Sequence, residues 1–390
     1  MNKRTLWGLP ASVLAVAAVV WWLGHGAAPS GGIRIAANLP LSGPLATYGV
    51  AVREGVAMAL EEPPREGVAP VISVDWQDNA SDPKTAVTVL QKQLLSDPTL
   101  YVSGVKPQTM AIKDAVARAG LPHFNWVFDA HINGPTAHNN FRSWVSYKIE
   151  PAVYLDYVAR RRARRVAIAY VQLPHTVEEF STILQPALRD AGVELYVEPY
   201  DFGRSEFKEI AGKIVAFKPD LIILNGFQND LVGMVRSLRP LGAIADGNVI
   251  ATYDMLDAAK VLGADEIEGI RQVAPLFETR PDSPSIAAWR QRFVARYGRP
   301  PLYTHAFAYD MIGAIRAAAS RSPAPSTHDD WIQALHRVDT QGVTGAIRFD
   351  DDGDLVTPLE VGVYRGGKLV PDTPAASPAA SPAPIASGTH

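Results

Sequence analysis

A chain of 390 residues with 47% hydrophobic side chains can bury two ordinary cores or one large one. Its formal net charge of −3 gives no general electrostatic reason to expect a nucleic-acid partner. With no cysteine, disulfides, thiolate chemistry, cysteine-ligated metals and lipid attachment at an N-terminal cysteine are all excluded.

The chain opens with "MNKRTLWGLPASVLAVAAVVWWLGHGAAPSGG". Lys3 and Arg4 precede an uncharged run from Thr5 to Gly24, and small residues with a Gly-Pro-Ser-Gly-Gly spacer follow. The pattern predicts export, as a cleaved signal peptide or as a retained anchor, because the run approaches the length that spans a bilayer. Ile33 to Leu39 then reads as a strand, followed by a Gly-Pro loop and a helix from about Tyr48 to Glu61. A β-branched strand at Val71 to Val74 runs into "DNASDPKTAVTVLQKQL". There Asp82 suits a helix N-cap and Pro83 the first helical position, and Ala86, Val87, Leu90 and Leu94 recur at helical spacing. The Asp78–Asp82 cluster therefore reads as a structural tie. Leu100 to Gly104, a helix over Thr109 to Ala119, and a strand over Pro122 to Val127 complete a first series.

A second series begins at Arg165. It comprises "RVAIAYV", a helix near Glu178 to Ala191, "VELYVEPY", a helix near Phe207 to Phe217, "DLIILNG", a helix near Leu231 to Leu238, and "GNVIATY". Alternating strands and helices predict parallel sheets covered on both faces, and two series predict two Rossmann-like lobes. From Ile347 the pattern changes to hairpins with Asp-Gly and Gly-Gly turns, and residues 371–390 read as a disordered Pro/Ala/Ser tail.

Three stretches in order carry a resemblance: Pro40-Leu41-Ser42-Gly43-Pro44-Leu45-Ala46-Thr47-Tyr48-Gly49, then Asn79 to Val87, then "YVSGVKPQT". Together with "PDLIILNGFQNDLVGMVRSLRPLG", "AYDMIGAIRAA" and "GAIRFDDDGDL", they resemble the branched-chain amino-acid type of periplasmic solute-binding protein that feeds ABC importers. The resemblance runs over roughly residues 33 to 370. It implies a type I periplasmic binding protein fold, with two α/β lobes joined by three crossovers near 148, 275 and 345. One lobe would hold 33–148 with 276–345 and the other 149–275 with 346–370, after an N-terminal segment of 1–32.

In open α/β sheets, ligands sit beyond the carboxyl ends of the strands. The candidates in the first lobe are Tyr48; Lys106, Gln108 and Thr109; and Trp126, Phe128 and Asp129 in "NWVFD". The second lobe offers Tyr170, His175, Phe227, Tyr253 and Asp254. Lys106 could pair with an anionic ligand or simply be solvated. His175 could be a contact or a surface residue, and any of the rings could be core. So many rings suggest a bulky or planar ligand held by stacking. The resemblance places a partner for an ammonium group near Tyr253-Asp254, and it implies hydroxyls near the Lys106 loop where this chain has a cation, an amide and one hydroxyl.

Asp350-Asp351-Asp352-Gly353-Asp354 resembles a calcium loop, but Leu355 stands where the loop needs glycine, so it reads as a turn. Arg160 to Arg165 reads as a basic helix end. No motif assembles a nucleophile, base and oxyanion site. The expectation is a non-enzymatic, exported, monomeric solute-binding component that needs no cofactor and no metal. It would close on a small amino-acid-like or aromatic-containing solute and deliver it to an inner-membrane ABC permease. A membrane-tethered ligand sensor of the same fold is the alternative.

Overall fold

The computed structural model describes residues 32–62, 71–128, 132–134 and 136–372. The expected export segment, Asp129 and the C-terminal tail lie outside the described residues.

Two sheets organise these residues. The first has five strands in the order β2-β1-β3-β4-β5: β1 (Ile33–Leu39), β2 (Ile72–Asp78), β3 (Leu100–Ser103), β4 (His123–Asn125) and β5 (Asn140–Arg142). All its pairings are parallel, with Ile35 opposite both Val74 and Leu100. The second has seven strands in the order β14-β13-β10-β9-β8-β6-β7. Its parallel part is β6 (Arg165–Val171), β7 (Glu194–Tyr200), β8 (Leu221–Leu224), β9 (Val249–Ala251) and β10 (Arg271–Pro275). A small hairpin of β11 (Asp339–Gln341) and β12 (Ala346–Arg348) stands apart. Finally β13 (Leu359–Arg365) and β14 (Lys368–Pro371) add antiparallel to the second sheet through the Gly366-Gly367 turn.

Helices cover both faces, as a parallel sheet requires. Every residue of β8 is buried, as in a strand covered on both sides, whereas β2 keeps partly exposed residues because it is an edge. The long helices Ala46–Glu61 and Tyr303–Ala319 pack together on the first sheet. A Cβ at Gly55 would stand 2.2 Å from the His305 carbonyl oxygen, so only glycine lets the two backbones approach this closely. Residues from 277 to 349 join the first lobe's cores: Phe277 and Trp289 pack with Met58, and Ile347 and Phe349 pack with Phe124 and Phe141.

Two departures from the sequence reading have physical reasons. The short β5 and β10 carry no alternating pattern. They are buried because Arg142 and Gln272, both fully enclosed, find tertiary surroundings. The helix expected near Glu178 begins at Pro174–Val177 and widens into a π-helical turn over Glu178–Leu184 before Gln185–Asp190. Pro186 lacks the N–H that a regular α-helix would direct at the Thr182 carbonyl, so the ladder is relaxed there. Ile347, Phe349 and Leu355 all lie in the first core.

The Asp78 to Asp82 stretch ties loops together. Asp78 Oδ1 accepts the N–H groups of Leu41, Ser42 and Ala80 at 2.9, 3.1 and 2.8 Å. Asp82 accepts from the Thr85 N–H at 2.7 Å and caps the helix Pro83–Leu94. Ala80 and Ser81 adopt left-handed backbone angles of 52° and 61° to make the turn.

Candidate functional site

The carboxyl ends of both sheets meet in an aromatic cluster. Phe128, just beyond β4, lies 5.3 Å from the His175 ring and 5.5 Å from the Tyr253 ring, which follow β6 and β9 of the other sheet. Tyr147, in the first passage between sheets, stands 5.7 Å from Phe128 and 5.9 Å from His175. Tyr253 is 6.2 Å from Tyr303, which is 5.0 Å from Trp144. These rings form a continuous wall across the two lobes, and Phe128, His175 and Tyr253 are only partly buried.

Polar groups converge on the same strand ends. Among the described residues, several buried polar atoms have no hydrogen-bond partner: both side-chain atoms of Gln108, Trp126 Nε1, Ser143 Oγ, Asn225 Oδ1 and Thr252 Oγ1. They follow β3, β4, β5, β8 and β9 respectively. An unpaired buried polar group costs about 1–3 kcal/mol, so such a concentration needs a partner to justify it. Asp254, half-buried beside Tyr253, is pushed up to about 7 by burial, with the Asp257 and Asp230 charges adding. The Tyr48 hydroxyl of the first lobe is raised by burial and by the charges of Asp257 and Asp254.

The sequence-predicted residues divide into groups. Phe128, His175 and Tyr253 come together between the lobes with Asp254 next in sequence, while Tyr48 is 43% exposed on the first lobe. Gln108 is buried at the start of the helix Lys106–Arg118 with its amide unpaired. Lys106 is exposed at that helix start. Thr109 is fully engaged: its hydroxyl donates to the Gly104 carbonyl at 2.8 Å and meets Ser103 Oγ at 2.7 Å. Ser103 in turn meets His123 Nε2 at 2.8 Å, so these hydroxyls hold the loop. Trp126 belongs to the first core at 4% exposure and presents at most its indole N–H. Tyr170 is core as well. It stacks on Phe180 at 5.4 Å and its hydroxyl bonds Ser181 at 2.7 Å, because β6 packs there against the π-helical turn. Phe227 is 41% exposed and packs edge-on against Phe202 at 5.6 Å, over a groove of about 700 Å³ at the ends of β7 and β8.

Sequence reading missed Trp144, Tyr147 and Tyr303. The "SWVSY" stretch at the first passage, with its two rings beside the expected crossover, was the available signal. Tyr303 comes from a helix start with no local mark of a cleft. Among the described residues no group of acidic, histidine or cysteine side chains could hold a metal ion, and no helix is long and apolar enough to cross a membrane.

Comparison with known proteins places the chain in a family and a fold. A family profile described as periplasmic binding protein matches residues 32–368. A leucine-, isoleucine-, valine-, threonine- and alanine-binding protein of Pseudomonas aeruginosa is 22% identical over 332 residues, spanning 83% of this chain and 87% of its own. A Rhodospirillum rubrum protein named as a branched-chain amino acid ABC transporter superposes with a TM-score of 0.76 at 21% identity, over 87% of this chain and 99% of its own. An R. palustris ABC-transporter solute-binding protein in complex with benzoate superposes with a TM-score of 0.68 at 16% identity, over 88% of this chain and 96% of its own.

Proposed function

This chain belongs to the periplasmic binding protein family and is a solute-binding component, and from that premise we propose that it encloses a small amino-acid-like or aromatic-containing solute between its lobes and hands it to a membrane ABC permease. The observation that carries this reading is the ring wall: Phe128 of one sheet lies within 5.5 Å of His175 and Tyr253 of the other. A planar or apolar solute body inserted there touches both lobes at once, so affinity is coupled to closure. Each good ring pair adds about 0.5–1.5 kcal/mol beyond buried area.

The polar groups define the rest of the solute. On the first lobe, Gln108, Ser143 and the Trp126 N–H offer donors to a carboxylate or carbonyl. On the second, Asp254, Thr252 and Asn225 offer acceptors to an amine or hydroxyl. The amino acids named for the Pseudomonas relative and the benzoate held by the R. palustris protein both join a carboxylate to an apolar body. The lobes in this reading comprise 33–148 with 276–355 and 149–275 with 356–370, and the chain works as an exported monomer.

Small-angle scattering with and without the solute released from the purified chain tests closure. The radius of gyration falls at saturation if the lobes close. An unchanged radius at confirmed saturation contradicts hinge closure and leaves a rigid pocket.

A further inference from the structure

Tyr303 of the ring wall opens the helix Tyr303–Ala319, and His305 follows it in the same first turn. His305 is 1% exposed and both its ring nitrogens are engaged. The Leu302 backbone N–H donates to Nδ1 at 2.9 Å, and Nε2 lies 3.1 Å from Glu54 Oε2 on the helix Ala46–Glu61. A carboxylate only accepts, so the proton of the neutral ring sits on Nε2 and Nδ1 turns its lone pair to Leu302. The two bonds together specify one tautomer. Leu302 is the N-cap residue, and His305 holds the third helical position. A Glu or Gln side chain ordinarily reaches back from that position to the N-cap N–H. A histidine can do so only while Nδ1 carries no proton.

We infer that His305 is a pH-sensitive positioning residue: its neutral ring caps the helix and holds Tyr303 in the ring wall, and protonation of Nδ1 removes the cap and loosens Tyr303. Tyr303 stands 6.2 Å from Tyr253 and 5.0 Å from Trp144, so its position is felt across both lobes. The groups packed around the ring are few. Helix Ala46–Glu61 supplies Glu54, which also pairs with Arg299 of the preceding loop at 2.5 Å. Helix Pro284–Tyr297 supplies the Phe293 ring, edge-on at 4.5 Å, and Tyr297, whose hydroxyl donates to the Glu54 carbonyl at 3.3 Å. Arg292 and Arg296 of that helix pair with Glu62 and Glu61. On the histidine's own helix, Asp310 is taken up by the Val343 and Thr344 N–H groups at 2.8 and 2.7 Å. A cavity of about 320 Å³ bordered by Thr47, Val50, Arg299 and Leu302 reaches His305 and gives water a route to the ring.

The direction of the pH dependence follows. Burial lowers His305 from the ordinary value of 6.5, Leu302 and Glu54 pull the other way, and the Arg299 charge adds to the lowering. A histidine depressed in the folded chain contributes stability that is complete above the unfolded value of 6.5 and is lost as pH falls through the lower folded value. The Leu302 carbonyl, 3.2 Å from Nδ1, is placed to receive the added proton, so protonation exchanges the N–H partner for the carbonyl. The wall therefore loosens in acid. The inference rests on the cleft reading for its consequence, since a looser wall holds solute less firmly, but its test needs no solute.

Nitrogen NMR of the histidine rings and amide hydrogen exchange on the solute-free full chain, from about pH 7.5 to about pH 4.5, make that test. At the upper end the His305 ring should show the Nε2–H tautomer. As the ring titrates, Leu302 amide exchange, corrected for its intrinsic rate, should rise by about tenfold or more. The Tyr303 ring resonances should shift with the same midpoint. His305→Gln keeps an acceptor at the capping position and does not titrate. Its corrected Leu302 exchange and its Tyr303 resonances should no longer depend on pH. Should this variant fail to fold, the wild-type series decides by itself. Leu302 exchange and Tyr303 resonances that stay constant while His305 titrates overturn the inference, and so does a ring still neutral at about pH 4.5. An Nδ1–H tautomer at the upper end, or a His305→Gln chain that keeps the wild-type pH dependence, overturns it as well.

Discussion

If the solute sits between the lobes as proposed, Phe128 and Tyr253 should govern affinity, because each is partly buried and each touches a ring of the opposite lobe. Removing an aromatic wall from a desolvated site commonly costs about 2 kcal/mol or more, which is over tenfold in affinity. Phe128→Ala and Tyr253→Ala should therefore each weaken solute binding by about tenfold or more in titration calorimetry, with little change in the melting temperature of the empty chain. Trp126 belongs to a different group. Its ring is enclosed in the first core, so Trp126→Ala should cost about 3–5 kcal/mol of fold stability. A calorimetric affinity loss in a Trp126→Ala chain that melts like the wild type would contradict that division. Asp82→Ala, which removes a cap remote from the ring wall, should lower the melting temperature by a few degrees and leave affinity intact.

At the scale of elements, the passages between sheets hold the site in place. The Asp350–Asp354 run is more than a turn, because Asp354 is buried and accepts from Arg142 Nε at 2.9 Å and Asn133 Nδ2 at 2.9 Å. The run thus clamps the third passage onto β5. Removing one partner of a buried ion pair leaves an uncompensated charge and costs about 3–5 kcal/mol. Asp354→Ala should show that loss in denaturant unfolding. A variant within about 1 kcal/mol of the wild type would mean that Arg142 has another way to be satisfied. The strands with repeating apolar runs, such as β1, β6 and β8, were legible in the sequence because burial on both faces demands β-branched and aliphatic residues. The Asp82-Pro83 cap was legible because capping is local chemistry. β5 and β10 were not, since their buried Arg142 and Gln272 depend on partners far along the chain. The candidate site was legible only by position. Strand ends named candidate loops, but whether a ring there faces the other lobe or fills a core depends on packing. Tyr170 and Trp126 therefore went one way, and Phe128 and Tyr253 the other.

For the whole molecule, the parts combine in the proposed reading into one device: two α/β lobes, passages about which they would close, and a ring wall that both lobes share. In the proposed reading, a solute held between the lobes pairs the polar atoms that are buried and unpaired at the strand ends. A chain built this way should carry its solute through purification when affinity is high. Mass spectrometry of small molecules released by denaturing the purified chain, compared between the wild type and a Phe128→Ala/Tyr253→Ala double variant, tests the central claim most directly. The account predicts a near-stoichiometric solute with an amino-acid-like or aromatic body from the wild type, and little or none from the double variant. The same solute released in equal amount from both chains would place the binding site somewhere other than between the lobes.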